Sequence, residues 1–292
     1  MRNGSVNANG LEFHYLEMGD GPLVLMLHGF PDHARTFRHQ MPALAEAGYR
    51  VVAPYMRGYG ATKAPDGGPF SVPKLGEDIV ALIDALGAET AVVVGHDWGA
   101  AASYAAAGLA PEKISKLVTM AVPYGPGLAG AFVTDPEQQR RSWYMFFFQT
   151  PIAELAVAHD DFAFIDRLWA DWSPGFVLEE SEMRLLKETL AADGTLSAAL
   201  GYYRHALMPT PEIVEQVAPL AERAQGPIAV PTLYLHGARD GCIGAELAEG
   251  MEALFTAGLT THVLESAGHF LHQEEPETVT RALLAFLGPA GG

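Results

Sequence analysis

The chain has 292 residues, 49% hydrophobic and 18% charged, an ordinary balance for one large α/β domain or two small ones with a sizeable buried core. Its net charge of −17, from 35 acidic side chains against 18 Lys and Arg, opposes attraction to phosphate backbones and anionic membranes and argues against nucleic acid as a partner. The single Cys242 excludes an internal disulfide, no apolar run approaches the roughly twenty residues that span a bilayer, and Met1 to Ser5 lacks the apolar stretch of a signal peptide, so the expectation is a cytoplasmic protein without membrane insertion.

Along the chain, Leu11 to Met18 reads as a strand, Gly19 to Pro22 as a turn, and Leu23 to His28 as a second strand apolar on both faces. A helix is expected from Ala34 to Ala47, ended by Gly48, then a strand from Arg50 to Ala53 and the Gly-rich loop Arg57-Gly58-Tyr59-Gly60. Leu75, Ile79, Leu82, Ile83 and Leu86 fall at helical spacing. The strand Ala91 to Gly95 leads into a helix of small residues, Ala100 to Ala105, that can approach a sheet closely, and Leu117 to Ala121 reads as another buried strand. This alternation predicts a mainly parallel sheet flanked by helices, with functional groups at the carboxyl ends of its strands.

After Val122 to Gly127 the character changes. From Asp135 to about Ala224 there is helical periodicity, many aromatics and no convincing strand. Asp135-Pro136-Glu137-Gln138 reads as a helix start with Asp as cap, Pro at the first helical position and Gln able to reach back to the cap amide; Thr210-Pro211-Glu212 reads as another. The α/β pattern resumes with the strand Val230 to His236, a helix from about Ala245 to Leu254, the strand Thr261 to Glu265 and a last helix from Pro276 to Leu287. The chain thus divides into a discontinuous α/β core, residues 1–128 and 226–292, and an inserted helical cap, residues 129–225.

Three polar residues stand at ends of these strands. In Gly95-His96-Asp97-Trp98-Gly99 a buried strand meets a small-residue helix through a glycine-flanked apex, the pattern of a nucleophile elbow with Asp where Ser is usual. Asp240 follows His236-Gly237-Ala238-Arg239, and His269 follows Ser266-Ala267-Gly268, so nucleophile, acid and histidine come in α/β-hydrolase order. A carboxylate attacking carbon forms an ester, which suits displacement at a strained or halogen-bearing carbon better than amide cleavage. His269, oriented and kept basic by Asp240, would then take a proton from the water that hydrolyses the ester. His28-Gly29-Phe30-Pro31 follows the strand expected beside the elbow strand. The backbone amides of Phe30 and Trp98 are the candidate oxyanion hole, worth about 3 kcal/mol per donor, and a cis bond before Pro31 would help aim the first. The scheme requires the carboxyl group near the imidazole with room above it.

Together His28-Gly29-Phe30-Pro31, Arg57-Gly58-Tyr59-Gly60, Gly95-His96-Asp97-Trp98-Gly99, Asp240 and Gly268-His269 resemble the α/β-hydrolase-fold epoxide hydrolases over nearly the whole chain. The resemblance implies two cap tyrosines that hydrogen-bond the epoxide oxygen as the ring opens. The matching segments, Trp143 to Pro151 and Leu200 to Arg204, carry those roles onto Tyr144 and Tyr203, with Tyr202 a competitor for the second. Such donors are needed because an alkoxide is a poor leaving group and a phenol can protonate it as charge develops. The implied reaction turns a neutral, lipophilic epoxide and water into a vicinal diol; the partner is a small molecule, no cofactor is implied, and pairing of the chain as a homodimer is left open.

Two other readings compete. A haloalkane dehalogenase shares the Asp ester but needs two nitrogen donors for halide; Trp98 supplies one, Phe30 stands where that family commonly has Asn, and Trp143, Trp169 or Trp172 would have to be the other. A fluoroacetate dehalogenase would carry Arg where Trp98 and Ala101 stand, and Asp97 in place of Ser disfavours an esterase. A ligand-binding protein that keeps the scaffold without turnover would be expected to have a broken constellation. His28 and His96 read as structural hydrogen-bonding residues and Cys242 as a packed side chain. His33, His39, His205 and His272 have no metal-ligand spacing, and Phe162, Phe164, Leu168, Trp169 and Trp172 are expected either to line an apolar pocket or, for most of them, to hold the cap together.

Overall fold

The computed structural model describes residues 1–290. Its strands and helices run β1 (Arg2–Ala8), β2 (Leu11–Met18), β3 (Leu23–Leu27), α1 (Gln40–Glu46), β4 (Arg50–Pro54), α2 (Val72–Ala85), β5 (Ala91–His96), α3 (Trp98–Leu109) and β6 (Ile114–Met120). Seven helices follow without an intervening strand: α4 (Gly127–Thr134), α5 (Pro136–Arg141), α6 (Trp143–Phe147), α7 (Ala153–Trp172), α8 (Glu180–Ala191), α9 (Thr195–Leu207) and α10 (Pro211–Ala224). The chain then returns to the sheet with β7 (Thr232–Gly237) and β8 (Leu259–Leu264) and ends with α11 (Leu271–Glu274) and α12 (Pro276–Leu287).

The eight strands form one sheet in the order β1-β2-β4-β3-β5-β6-β7-β8. β1 and β2 are antiparallel, β2 is antiparallel to β4, and every pairing beyond is parallel. Strand residues alternate between faces. Val24 and Met26 pack with Met41, Leu44, Leu283 and Leu287 of α1 and α12, while Leu25 and Leu27 pack with Leu75, Ile79, Leu82, Ala102 and Ala106 of α2 and α3. This is the mainly parallel, helix-flanked sheet expected from the alternation of elements, and β3 lies beside β5 as required.

Four local expectations need correction. The helix expected over Ala34 to Ala47 is a 3₁₀ turn, Ala34–Phe37, followed by the separate α1. Pro42 has no N–H and its ring crowds the carbonyl of Arg38, so one continuous ladder cannot pass there. The helix expected from Ala245 to Leu254 is two 3₁₀ turns, Ala245–Ala248 and Met251–Leu254, split where Gly250 takes a left-handed φ of 78°. Asp135 caps α5 by accepting the Glu137 amide, but Gln138 does not reach back: it is buried, and its side-chain nitrogen bonds Ser142 and the Cys242 carbonyl instead. β1 was missed because Arg2-Asn3-Gly4-Ser5 carries no apolar alternation; its pairing with β2 supplies what its side chains do not.

The elbow is the tightest place in the fold. A methyl on Gly99 would strike the Leu27 carbonyl of β3, and one on Gly95 would strike the Gly99 carbonyl. Gly99→Ala is therefore expected to destabilise the protein by about 1–3 kcal/mol, as overpacking does, read as a lowered urea midpoint with unchanged slope.

Candidate active site

β5 delivers Asp97 into a backbone conformation of φ 53° and ψ −118°, and α3 starts at the next residue. Such a conformation costs a non-glycine residue roughly 1–3 kcal/mol and persists only where the surroundings enforce it. Here the close approach of Gly95 to Gly99 and of Gly99 to Leu27 of β3 holds it, and the Asp97 carboxylate is lifted above the sheet with only 6% of its side chain exposed. Its Oδ1 accepts the Phe30 amide at 2.7 Å, across the turn that follows β3; the Phe30–Pro31 bond is cis. Trp98 opens α3, so its amide has no intrahelical acceptor. Asp97, Phe30 and Trp98 are thus gathered where the spacing of the motifs put them.

The loop after β7 brings Asp240, and the loop after β8 brings His269. Asp240 Oδ2 accepts His269 Nδ1–H at 2.9 Å, while Oδ1 accepts the amides of Cys242 at 2.7 Å and Ile243 at 2.9 Å. On the other side of the ring, His269 Nε2 lies 3.5 Å from Asp97 Oδ2, an ion-pair distance without hydrogen-bond geometry. Burial disfavours charge on His269, but Asp240, through its charge and its hydrogen bond, and then Asp97 outweigh it and push the imidazole up to about 10. Burial opposes charge on Asp240 too, yet the attraction of His269 and hydrogen bonds from two imidazoles hold that carboxyl well below the usual carboxylate range. Both side chains that flank the ring, Asp240 and Asp97, therefore favour its imidazolium form.

Tyr144 of α6 and Tyr203 of α9 face each other above this group, with ring centroids 5.5 Å apart. The Tyr144 hydroxyl touches Cys242 Sγ at 3.2 Å, and the Tyr203 hydroxyl is buried with no partner. Burial first, then nearby groups that include Asp97, raises both phenols well above 10, so both stay protonated. Tyr202 points elsewhere and donates to the Arg57 carbonyl at 2.8 Å. Phe30, Phe148 and Trp172 enclose the pair of tyrosines, and Trp172 lies edge-on to His269 at 5.0 Å. Trp172 is thus a wall of the site as well as part of the cap packing. The Trp98 indole N–H is also buried without a partner.

None of the surface grooves described has Asp97 in its lining. The broadest surface groove described, about 680 Å³ between α7 and α8, is floored by Phe162, Trp169 and Met183 and does not reach Asp97. Trp169 stacks on Phe270 and donates to the Pro31 carbonyl, so α7 is packed against the turn after β3 and the residue that follows His269.

Supporting groups missed in the sequence surround the triad. Gln138 holds the acid loop through the Cys242 carbonyl at 2.9 Å and the Gly244 amide at 3.0 Å. Glu274 accepts the Gly268 amide beside His269 at 2.7 Å and the Ser173 hydroxyl at 2.6 Å. His236 meets Asp240 Oδ2 at 3.1 Å; its one signal was an imidazole in an otherwise apolar strand. His28 and His96 have the structural bonds expected of them. His28 accepts the Met56 amide and His96 meets the His269 carbonyl; burial lowers these imidazoles to about 4 and about 3.

A parallel sheet carrying an acidic nucleophile elbow, followed by acid and histidine at later strand ends, defines an α/β hydrolase, and the model of the alpha/beta hydrolase fold family matches residues 22–276. The chain is 31% identical over 286 residues to AB hydrolase superfamily protein YfhM of Bacillus subtilis, covering 97% of this chain and 96% of that protein. It is also 31% identical over 321 residues to epoxide hydrolase A of Mycobacterium tuberculosis, covering 97% and 96%. The crystal structure of Bacillus megaterium epoxide hydrolase with an inhibitor superposes with a TM-score of 0.84 at 28% identity, covering 97% of this chain and 99% of that one. The chain belongs to the epoxide hydrolases of the α/β-hydrolase fold.

If two carboxylates jointly hold the proton on His269, neutralising one must loosen it. Asp97→Asn is expected to lower the His269 pKa by more than one unit from its value near 10, measured by ¹⁵N NMR titration with histidine-labelled protein.

Proposed function

We propose that the protein is an epoxide hydrolase that adds water to a neutral, lipophilic epoxide in two steps, and that residues 129–225 are the cap which closes over the substrate. The observation that carries this reading is the pairing of an Asp nucleophile, at ion-pair distance from His269, with two protonated tyrosines above it.

Asp97 Oδ2, which faces His269, attacks an epoxide carbon; the carbon–oxygen bond of the ring breaks, and Tyr144 and Tyr203 hydrogen-bond the oxygen that leaves. Oδ1, bonded to the Phe30 amide, becomes the ester carbonyl. Esterification removes the charge of Asp97, so His269 loses one of the carboxylates that hold its proton. The proton released matches the one the new alkoxide requires, and the neutral imidazole can act as base. Water then attacks the ester carbon while His269 takes its proton; Oδ1 carries the oxyanion, with the amides of Phe30 and Trp98 as its donors. The adduct then collapses: the ester carbon–oxygen bond breaks, the leaving alkoxide takes the proton of the hydroxyl that water left on the carbon, and the diol departs from an Asp97 carboxylate beside the imidazolium. The walls of Phe30, Phe148 and Trp172 favour an apolar substrate that brings no charge of its own.

Asp97→Ala should abolish turnover, whereas His269→Gln should still form the ester and accumulate covalent enzyme, seen by intact-protein mass spectrometry with styrene oxide. In one turnover in oxygen-18 water with substoichiometric epoxide, the label should enter Asp97 first; label in the first diol would defeat the two-step route. Tyr144→Phe and Tyr203→Phe should each slow alkylation about 10²-fold, the usual lower bound for a general acid, with the double variant worse than either. Normal alkylation by the double variant would remove the tyrosines from the mechanism.

A further inference from the structure

β7 brings a second imidazole to the catalytic acid. Residues two apart on a strand point to the same face, and Tyr234 and His236, both fully buried, turn to the side where Asp240 lies. His236 Nε2 is 3.1 Å from Asp240 Oδ2 and 3.0 Å from the Ile243 carbonyl, both acceptors, while its Nδ1 meets the Tyr234 hydroxyl. A neutral His236 therefore keeps its proton on Nε2 and accepts from Tyr234 on Nδ1. The oxygen it donates to also accepts His269 Nδ1–H, at 2.9 Å. Neither Tyr234 nor His236 has a part in the reaction sequence above.

We propose that His236, locked by Tyr234, is a positioning residue that shares Asp240 Oδ2 with His269 and so limits how tightly the acid holds the proton of the catalytic imidazole. The inference rests on the reading of His269 as the base of the hydrolytic step. A carboxylate oxygen shared by two N–H donors binds each more weakly than it binds one, and in a buried site that competition is little screened. Asp240 and Asp97 hold the proton on His269, and Glu274, bonded to the preceding amide, adds a more distant negative charge. His96, edge-on to the His269 ring at 4.8 Å, and His272, tilted against His96, are kept neutral by burial. Once Asp97 is an ester, Asp240 is the dominant charge facing His269, so the share that His236 takes matters most at the step where the imidazole must be neutral. Without that N–H, His269 would cling to its proton and water activation would require a higher pH.

The test uses His236→Phe, which keeps a ring but removes the donor, His236→Gln, which keeps an N–H, and Tyr234→Phe, which weakens the donor from behind. His269 is titrated by ¹⁵N NMR in the Asp97→Asn background, where a neutral amide stands for the ester, and ester decay is followed against pH in single turnovers of styrene oxide with Asp97 intact. His236→Phe should raise the His269 pKa and the acidic limb of ester decay by about half a unit to one unit, and His236→Gln should restore both. An unmoved or lowered His269 pKa in folded His236→Phe overturns the inference, even if stability falls. Should that variant not fold, Tyr234→Phe carries the test, with a smaller upward shift expected and no shift overturning it. Failure of the unsubstituted enzyme to form any diol would instead strike the epoxide reading, while the titrations still decide whether His236 competes for Asp240.

Discussion

The rest of the site depends on one buried imidazole held between two carboxylates. Charge on any of the three alone would be costly in this interior, because desolvation favours the neutral form of each. Together they are tolerated, since each carboxylate is hydrogen-bonded by backbone amides and the imidazolium supplies the opposite charge. The same arrangement makes the proton of His269 conditional. In the mechanism proposed, it is held while Asp97 is an anion and released when Asp97 becomes an ester, so that the chemical state of the nucleophile would select the protonation state of the base. A serine at the apex could not act in this way, because its resting hydroxyl carries no charge to hold the proton.

The scaffold exists to keep those three groups in register. The parallel strands end on one side of the sheet, and β5, β7 and β8 each contribute one polar residue just beyond their carboxyl ends. The strain at Asp97 is borne by backbone contacts with β3, which also orient the Phe30 amide toward Oδ1. Gln138 of α5 ties the acid loop to the helical insertion, and Ser173, just past α7, is tied through Glu274 to the loop of His269. The insertion therefore braces the loops of Asp240 and His269 as well as bearing Tyr144 and Tyr203.

Legibility in the sequence followed how local the determining interaction is. The elbow could be read because an apolar strand, two glycines and a small-residue helix are adjacent in the chain and each is required by the same turn. Asp240 and His269 could be read because strand ends are punctuated by glycine and the order of the triad is preserved. Tyr144 and Tyr203 came from the resemblance, and only the tertiary hydrogen bond of Tyr202 to the Arg57 carbonyl distinguishes the adjacent tyrosines. The break before α1 was available in Pro42 and was overridden by apolar periodicity. Gln138, Glu274 and His236 had no local signature, since each acts on a loop far away in sequence and a lone polar residue in a helix or strand has many bland explanations.

Closure gives these polar groups their strength. With aromatic rings around the tyrosines and His269, the interactions among Asp97, His269 and Asp240 act through little solvent, where a charge removed from one member is felt strongly by the others. A wide aqueous mouth over Asp97 would weaken that coupling and leave His269 closer to an ordinary imidazole. In the mechanism proposed, the covering insertion and the conditional proton would be linked: the insertion would part to admit an epoxide, and closing again would restore the low-screening surroundings in which esterification switches the base on.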